Sequence, residues 1–214
     1  MDVQNKDLSS RRVLKSRDSN WARTTAKALA SSNISPNQIS VLSVFFAMMA
    51  TAFFYAAYLN SNRLMLILAI VVIQLRLICN LMDGLVAIEF NKKSKTGDLY
   101  NEIPDRLADT AIIMGAGLYV QQLPYGMDIA WACVALAILT AYIRTLGASL
   151  GKGHKFLGPM AKQHRMALLT VAIVVEAVLH INAIYYSLWI MLVGLVLTNI
   201  RRTIGIAKAL EETP

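Results

Sequence analysis

Charge is scarce in this chain and cysteine nearly absent. Charged residues make up 16% of its 214 positions, against about 25% in a soluble domain. There are two cysteines, Cys79 and Cys133, each inside an apolar stretch. They form no CxxC pair, no zinc spacing and no disulfide framework, and are expected to be small buried hydrophobes. No internal repeat and no low-complexity segment is present. The first 37 residues hold no apolar run of signal-peptide length, so no cleavable leader is expected. What fills the chain instead is grease: 56% of it is hydrophobic and the mean hydropathy is +0.49. That excludes a disordered tail and a collagen-like fibre. The net charge is nevertheless +8. A nucleic-acid binder would spread its bases over a polar surface, so no nucleic-acid partner is expected. A membrane protein with charged ends fits better.

A membrane helix needs about 20 mostly apolar residues. Six candidates appear, at about 39–59, 64–90, 99–121, 127–150, 165–181 and 184–200. Short turns join them: Asn60-Ser61-Asn62, Pro124-Tyr125-Gly126 and His180-Ile181-Asn182-Ala183 on one side, and runs rich in Lys and Gly on the other. Counting bases sets the orientation. Of 21 Lys and Arg, 17 fall in segment 1–37, loops 91–98 and 151–165, and the C-terminal tail. Only Arg63 lies opposite, and Arg76, Arg106 and Arg144 lie within spans. Both termini are therefore expected in the cytoplasm, and most of the basic excess answers to topology and anionic lipid. Residues 9–32 read as a basic helix lying in the membrane interface, the alternative being a loose basic tail. The expected fold is all-α: a six-transmembrane-helix bundle with an N-terminal interfacial amphipathic helix. Segment 1–37 is the basic interfacial part, 38–200 the bundle domain, and 201–214 a cytoplasmic tail.

The acids are the sharper signal. Six of 13 fall between 83 and 109: Asp83, Glu89, Asp98, Glu102, Asp105 and Asp109. Charges inside spans are costly and mark function by default. Asn80 and Asp83 stand three apart, on one helix face. Asn101, Asp105 and Asp109 share another face at four-residue steps. A hairpin of the second and third spans brings both oxygen-rich faces together. Such oxygens, completed by water and phosphate, suit a hard cation such as Mg²⁺ or Mn²⁺. The bland alternative is a salt-bridged helix cap. Glu89 and Glu102 read as solvated or capping. Gly84 lacks a Cβ and lets a bulky ligand approach the backbone.

Asn80-Leu-Met-Asp83-Gly84-Leu-Val-Ala87-Ile88, then eight residues, then Gly97-x3-Asn101-x3-Asp105, resembles the signature of the CDP-alcohol phosphotransferase family, D-x2-D-G-x2-A-R-x8–9-G-x3-D-x3-D. The likeness extends over length, span count and the place of the motif. It implies a Mg²⁺- or Mn²⁺-dependent transfer, in which a CDP-linked lipid such as CDP-diacylglycerol gives its phosphatidyl group to an alcohol and releases CMP. It also implies metal ligation by Asn80, Asp83, Asn101 and Asp105, a substrate-contacting role for Gly84, Ala87 and Gly97, a bacterial inner-membrane setting and homodimerisation. Three positions depart: Asn80 and Asn101 replace acids, and Ile88 replaces Arg. A divergent, YnbA-like bacterial branch resembles this chain in those two asparagines. Amide oxygens still ligate metals, but two fewer charges weaken divalent binding or reduce a two-metal site to one.

The donor diphosphate needs positive charge, for which Arg144, Lys162, Arg165, Arg106 and Arg76 are candidates. Arg144 also reads as a snorkelling base. Lys162 and Arg165 open the fifth span at a helix N-terminus, which favours anions, and resemble the family's phosphate-lining segment. Pro36 and Asn37 suit a helix start and resemble a segment of the family beside its nucleotide site. By resemblance Asp105 is the general base, with Asp109 able to share that role. The acceptor is open between glycerol 3-phosphate and inositol phosphate. Two rival readings remain: a catalytically weak homologue that binds CDP-lipid, and a small transporter.

Overall fold

The computed structural model describes residues 19–32, 34–90, 92, 94–153 and 157–212. Among the described residues it is wholly helical, with seven helices. They are α1 (Asn20–Ser31), α2 (Pro36–Asn60), α3 (Arg63–Glu89), α4 (Gly97–Tyr119), α5 (Gly126–Ser149), α6 (Lys162–Leu179) and α7 (Ala183–Glu211).

Local chemistry sets the helix starts. Ser35 and Gln38 form a capping box: the Gln38 N–H donates to Ser35 Oγ (3.2 Å) and the Ser35 N–H to Gln38 Oε1 (2.9 Å). Pro36, with its φ already helical, occupies the first turn. At the start of α3 the Leu64 N–H donates to Asn62 Oδ1 (2.9 Å). The three short turns each hinge on a left-handed residue, Ser61 (φ 51°), Tyr125 (φ 58°) and His180 (φ 57°). These turns gather at one end of the bundle, and the C-terminal ends of α3 and α5 and the N-terminal ends of α4 and α6 lie at the other.

Six helices close a ring in the order α2, α3, α6, α7, α5, α4, with α4 returning to α2. Lipid supplies little drive for helices to associate, so close approach through small residues has to do the holding. Ala47, Ala50, Ala69, Ala108, Ala116 and Ala130 are fully buried. A Cβ on Gly117 would stand 2.5 Å from Ala130 Cβ, and one on Gly115 would stand 2.8 Å from the Thr51 backbone. Thr51 Oγ1 adds a bond across helices to the Ala111 carbonyl (2.7 Å). Phe54, Leu66, Ile73, Ile112, Met166 and Leu188 fill the interior. Apolar side chains such as Phe45, Met48, Val71, Trp131, Val171 and Val193 point outward, as a lipid-facing surface requires. Cys79 and Cys133 are free and buried.

Among the described residues four helices, α2, α3, α5 and α7, are long and apolar enough to cross a membrane. The chain is thus an integral membrane protein by its helices. The predicted third and fifth spans are present as α4 and α6 but fall outside that set. α4 carries Asp98, Glu102, Asp105, Arg106 and Asp109 between its start and its middle turn, and α6 has 18 residues that include Lys162, Arg165 and Glu176. The sixth span is longer than expected. α7 continues to Glu211, through most of the segment read as a tail, because Arg202 and Ile206 keep a buried face turned inward. The helix expected over 9–32 is present from Asn20, and residues 9–18 lie outside the described residues. α1 buries Ala22 and Ala26 against Met82, Leu85 and Val86 of α3.

Candidate active site

The end of the ring opposite the short turns holds most of the buried charge. On α3, Arg76, Asn80 and Asp83 recur at four- and three-residue steps, so one face presents all three. On α4, Asn101, Asp105 and Asp109 do the same. α6 begins between these faces and brings Lys162 and Arg165.

Asp83 is 6% exposed. Its Oδ2 accepts from Ser40 Oγ at 2.7 Å, which fastens α3 to the start of α2. Its charged neighbours are Asp105 and Lys162. Asp105 pairs through Oδ2 with Lys162 Nζ, and its Oδ1 lies 3.7 Å from Arg76 Nη2. Asp109 is deeper and closed on both sides. Oδ1 accepts from Arg76 Nη2 at 2.7 Å, and Oδ2 from Arg165 Nη2 at 2.5 Å. Arg165 also donates to the Met160 carbonyl (3.1 Å). Arg76 is the bulkiest fully buried side chain. Three carboxylates and three cations thus share one buried cluster, and their charges cancel. Buried ions persist only when paired in this way, and removing one partner of a buried pair costs about 3–5 kcal/mol.

A second cluster adjoins it. Glu102 pairs with Arg106 and with Arg144 (2.5 Å). Arg202 of α7 lies close enough to Arg144, Arg165 and Arg106 to feel their charge. Its own bonds are to carbonyls: Nε to Leu157 (3.0 Å) and Nη1 to Thr140 (2.6 Å). The loop before α6 is pinned nearby. Gly158 has φ +107°, and a Cβ there would meet Thr198 atoms at 2.6–2.7 Å. The Met160 N–H donates to Thr198 Oγ1 (2.9 Å).

The structure therefore brings Asp83, Asp105, Asp109, Lys162 and Arg165 into one cluster, with Arg144 in the neighbouring one. Asn80 is half-buried beside Asp83, and Asn101 is exposed one turn before Asp105. Gly84 and Ala87 lie half-buried on the last turns of α3. Pro36 adjoins the site, its carbonyl 3.2 Å from the Ser40 Oγ that bonds Asp83, whereas Asn37 turns to the α4 side, its Nδ2 donating to Ser94 Oγ and Thr96 Oγ1, both at 3.3 Å. Gly97 opens α4 beside them, its N–H on the Ser94 carbonyl (3.0 Å). Both oxygens of Asp109 hold guanidinium groups. Glu102 was expected to be solvated or capping, and instead joins two arginines.

Two contributors, Arg202 and Ser40, escaped the sequence reading, and a third, Arg76, was named there among the candidate bases for the diphosphate. Arg76 shares the spacing of Asn80 and Asp83 and was legible from it as part of their face. Arg202 was counted only as a topological charge, although Thr198 one turn before it faces the same loop. Ser40 closes the segment that Pro36 and Asn37 open, and that placement was the signal for it.

Among the described residues no three His, Cys, Asp or Glu side chains converge to hold a metal. Asp83 lies close enough to Asp105 to feel its charge, and Asn80 stands one helical turn before Asp83 on the same face. Asn80 Nδ2 is buried without a hydrogen-bond partner. Amide O and N are interchangeable by a flip, so the same side chain can turn its oxygen to that spot. Two carboxylates and an amide oxygen fit one hard cation with open positions for phosphate and water.

Residues 33–200 match the model of the CDP-alcohol phosphatidyltransferase family. The chain belongs to that family, whose members are enzymes that transfer phosphatidyl groups from CDP-linked lipids. Among characterised relatives it is 25% identical over 189 residues to the archaetidylinositol phosphate synthase of Pyrococcus horikoshii, over 86% of this chain and 90% of that protein. Its fold is similar to the phosphatidylinositol phosphate synthase of Mycobacterium tuberculosis. The crystal structure of that enzyme with manganese and citrate gives a TM-score of 0.75 at 16% identity, over 86% of this chain and 88% of that one. The structure with CDP-DAG bound gives 0.75 at 16% identity, over 88% and 94%.

Proposed function

We propose that this protein transfers the phosphatidyl group of a CDP-diacylglycerol-type lipid to the hydroxyl of inositol phosphate, releasing CMP, at the cytoplasmic face of a bacterial inner membrane. The observation that carries the reading is the pairing of the two clusters: signature carboxylates Asp83 and Asp105 lie beside an arginine group with surplus positive charge. Both relatives named above make inositol-phosphate lipids, which favours that acceptor over glycerol 3-phosphate. All six ring helices cross the membrane in this reading, including α4 and α6. α1 lies in the interface, both termini are cytoplasmic, the bundle domain spans 38–200, and two copies associate as a homodimer.

Asp83, Asp105, Asn80 and Asn101 would hold Mg²⁺ or Mn²⁺, which when bound neutralises charge on the diphosphate. Asp105 accepts the proton of the acceptor hydroxyl as its oxygen bonds to the β-phosphorus of the donor, the one that bears the lipid. The bond from that phosphorus to the CMP oxygen breaks, and CMP leaves with the electron pair. Lys162 takes up phosphate charge at the start of α6. Arg144, Arg106 and Arg202 hold the acceptor's phosphate. Asp109 keeps Arg76 and Arg165 in place and so acts as a positioning residue. Gly84, Ala87 and Gly97 leave room for the donor, and Pro36 and Asn37 steady the loop over it.

The test is purified protein in lipid with CDP-diacylglycerol, Mn²⁺ and a panel of alcohols that includes inositol phosphate and glycerol 3-phosphate. CMP release with inositol phosphate, and the matching lipid by mass spectrometry, is expected. Failure to release CMP with any acceptor on the panel would leave a CDP-lipid-binding homologue as the better reading.

A further inference from the structure

We propose that Lys162 is a built-in counter-cation of the Asp83–Asp105 site, and that it has to leave Asp105 before a divalent cation settles there, so that metal binding is coupled to the arrival of a diphosphate. The inference rests on the metal reading just given.

Charge balance is the first support. Asp83, Asp105 and Asp109 are matched by Arg76, Lys162 and Arg165 within one buried cluster. A divalent ion added to that set would be uncompensated in a medium that solvates charge poorly. Asn80 and Asn101 are neutral, so the signature holds no spare negative charge for a lysine and a metal together.

Mobility is the second support, and it separates the three cations. Arg76 and Arg165 are locked. Their side chains are 0% and 3% exposed, and Asp109 holds both. Lys162 is 27% exposed, is the first residue of α6, and has a flexible four-carbon stem with a single point charge. It alone of the three can swing out without opening the core. An incoming diphosphate supplies the charge that draws it, at a helix N-terminus whose N–H groups also favour anions. Lys162 thereby changes partner from carboxylate to phosphate, and Asp105 becomes available for its role at the reacting centre.

The experiment follows Mn²⁺ binding by EPR on the purified full chain in nanodiscs, with cytidine diphosphate as the diphosphate probe. The wild type is expected to take Mn²⁺ weakly alone, and cytidine diphosphate is expected to tighten binding at least about tenfold, an ordinary size for coupling between sites. Lys162→Met is expected to bind Mn²⁺ alone about tenfold more tightly than the wild type and to lose most of the coupling. Lys162→Arg keeps the charge and is expected to keep the coupling. Unchanged Mn²⁺ affinity in a folded Lys162→Met overturns the proposal. So does a wild-type affinity that cytidine diphosphate leaves unaltered, which decides the matter even if Lys162→Met does not fold. Asp83→Ala separates the two readings. If it abolishes Mn²⁺ binding while Lys162→Met changes nothing, the metal site stands and only the lysine's role falls. If Mn²⁺ still binds to Asp83→Ala, both fall.

Discussion

Two charged clusters stand side by side at the end opposite the short turns, and they are built differently. Around Asp109, three carboxylates and three cations cancel, and the deepest groups are held on both sides. Around Glu102, one carboxylate faces Arg106 and Arg144 with Arg202 beyond, which leaves a surplus of positive charge. A balanced cluster is at rest: its arginines are spent on holding helices together. A surplus cluster still attracts an anion. The same side chain, arginine, is therefore structural in one cluster and available for recognition in its neighbour, and the local acid count decides which.

That contrast can be broken by mutation. The largest effect is expected at the reacting carboxylates. Asp105→Ala should lower the rate of CMP release by about 10²–10⁴-fold, the usual weight of a positioned general base. Asp83→Ala should be comparably disabling. Both should keep the fold, as checked by size-exclusion and thermal melts, and near-normal rates from both would refute the site assignment. Asp109→Ala should act on stability instead. It strands two buried guanidinium groups, costing about 3–5 kcal/mol, and should show as a lowered melting temperature and poor yield. A stable but inactive Asp109→Ala would return that residue to the role of base.

Within the surplus cluster the effect should be on acceptor affinity. Arg144→Ala should raise KM for the phosphorylated acceptor about 10–100-fold, since a charged hydrogen bond is worth about 1.5–3 kcal/mol, with KM for the CDP-lipid nearly unchanged. A matching rise in both would mean that the two clusters serve one substrate. The smallest effect on the reaction is expected at Ser40→Ala, which removes one hydrogen bond to the Asp83 carboxylate, worth about 1.5–3 kcal/mol of stability, and leaves the carboxylate itself in place. Its rate should fall less than about tenfold.

Much of the bundle was legible from hydropathy. The span read as 39–59 is α2 at Pro36–Asn60, and the one read as 127–150 is α5 at Gly126–Ser149. Apolar runs and turn residues are local signals, and they survive folding. The end of α7 was not legible. Hydropathy stops at Arg201 and Arg202, but a helix needs only one buried stripe to continue. The carboxylates of the candidate site could be placed on faces by spacing alone. Their partners could not be assigned, because whether Asp109 meets a guanidinium or a substrate depends on where α6 enters the ring. No periodicity within one helix encodes that.

The constant rise of an α-helix also makes these helices a ruler. Twenty residues separate Arg63 from Asp83 on α3, 19 separate Ala183 from Arg202 on α7, and 18 separate Gly126 from Arg144 on α5. At about 1.5 Å per residue each distance is roughly 27–30 Å, the thickness of a hydrocarbon layer. Measured from the tight turns, three separate helices bring their charged groups to the same height. If those turns mark one edge of the oil, the charges mark the other. A lipid could present its headgroup at that level without leaving the bilayer, and a water-soluble reactant could meet it there without entering.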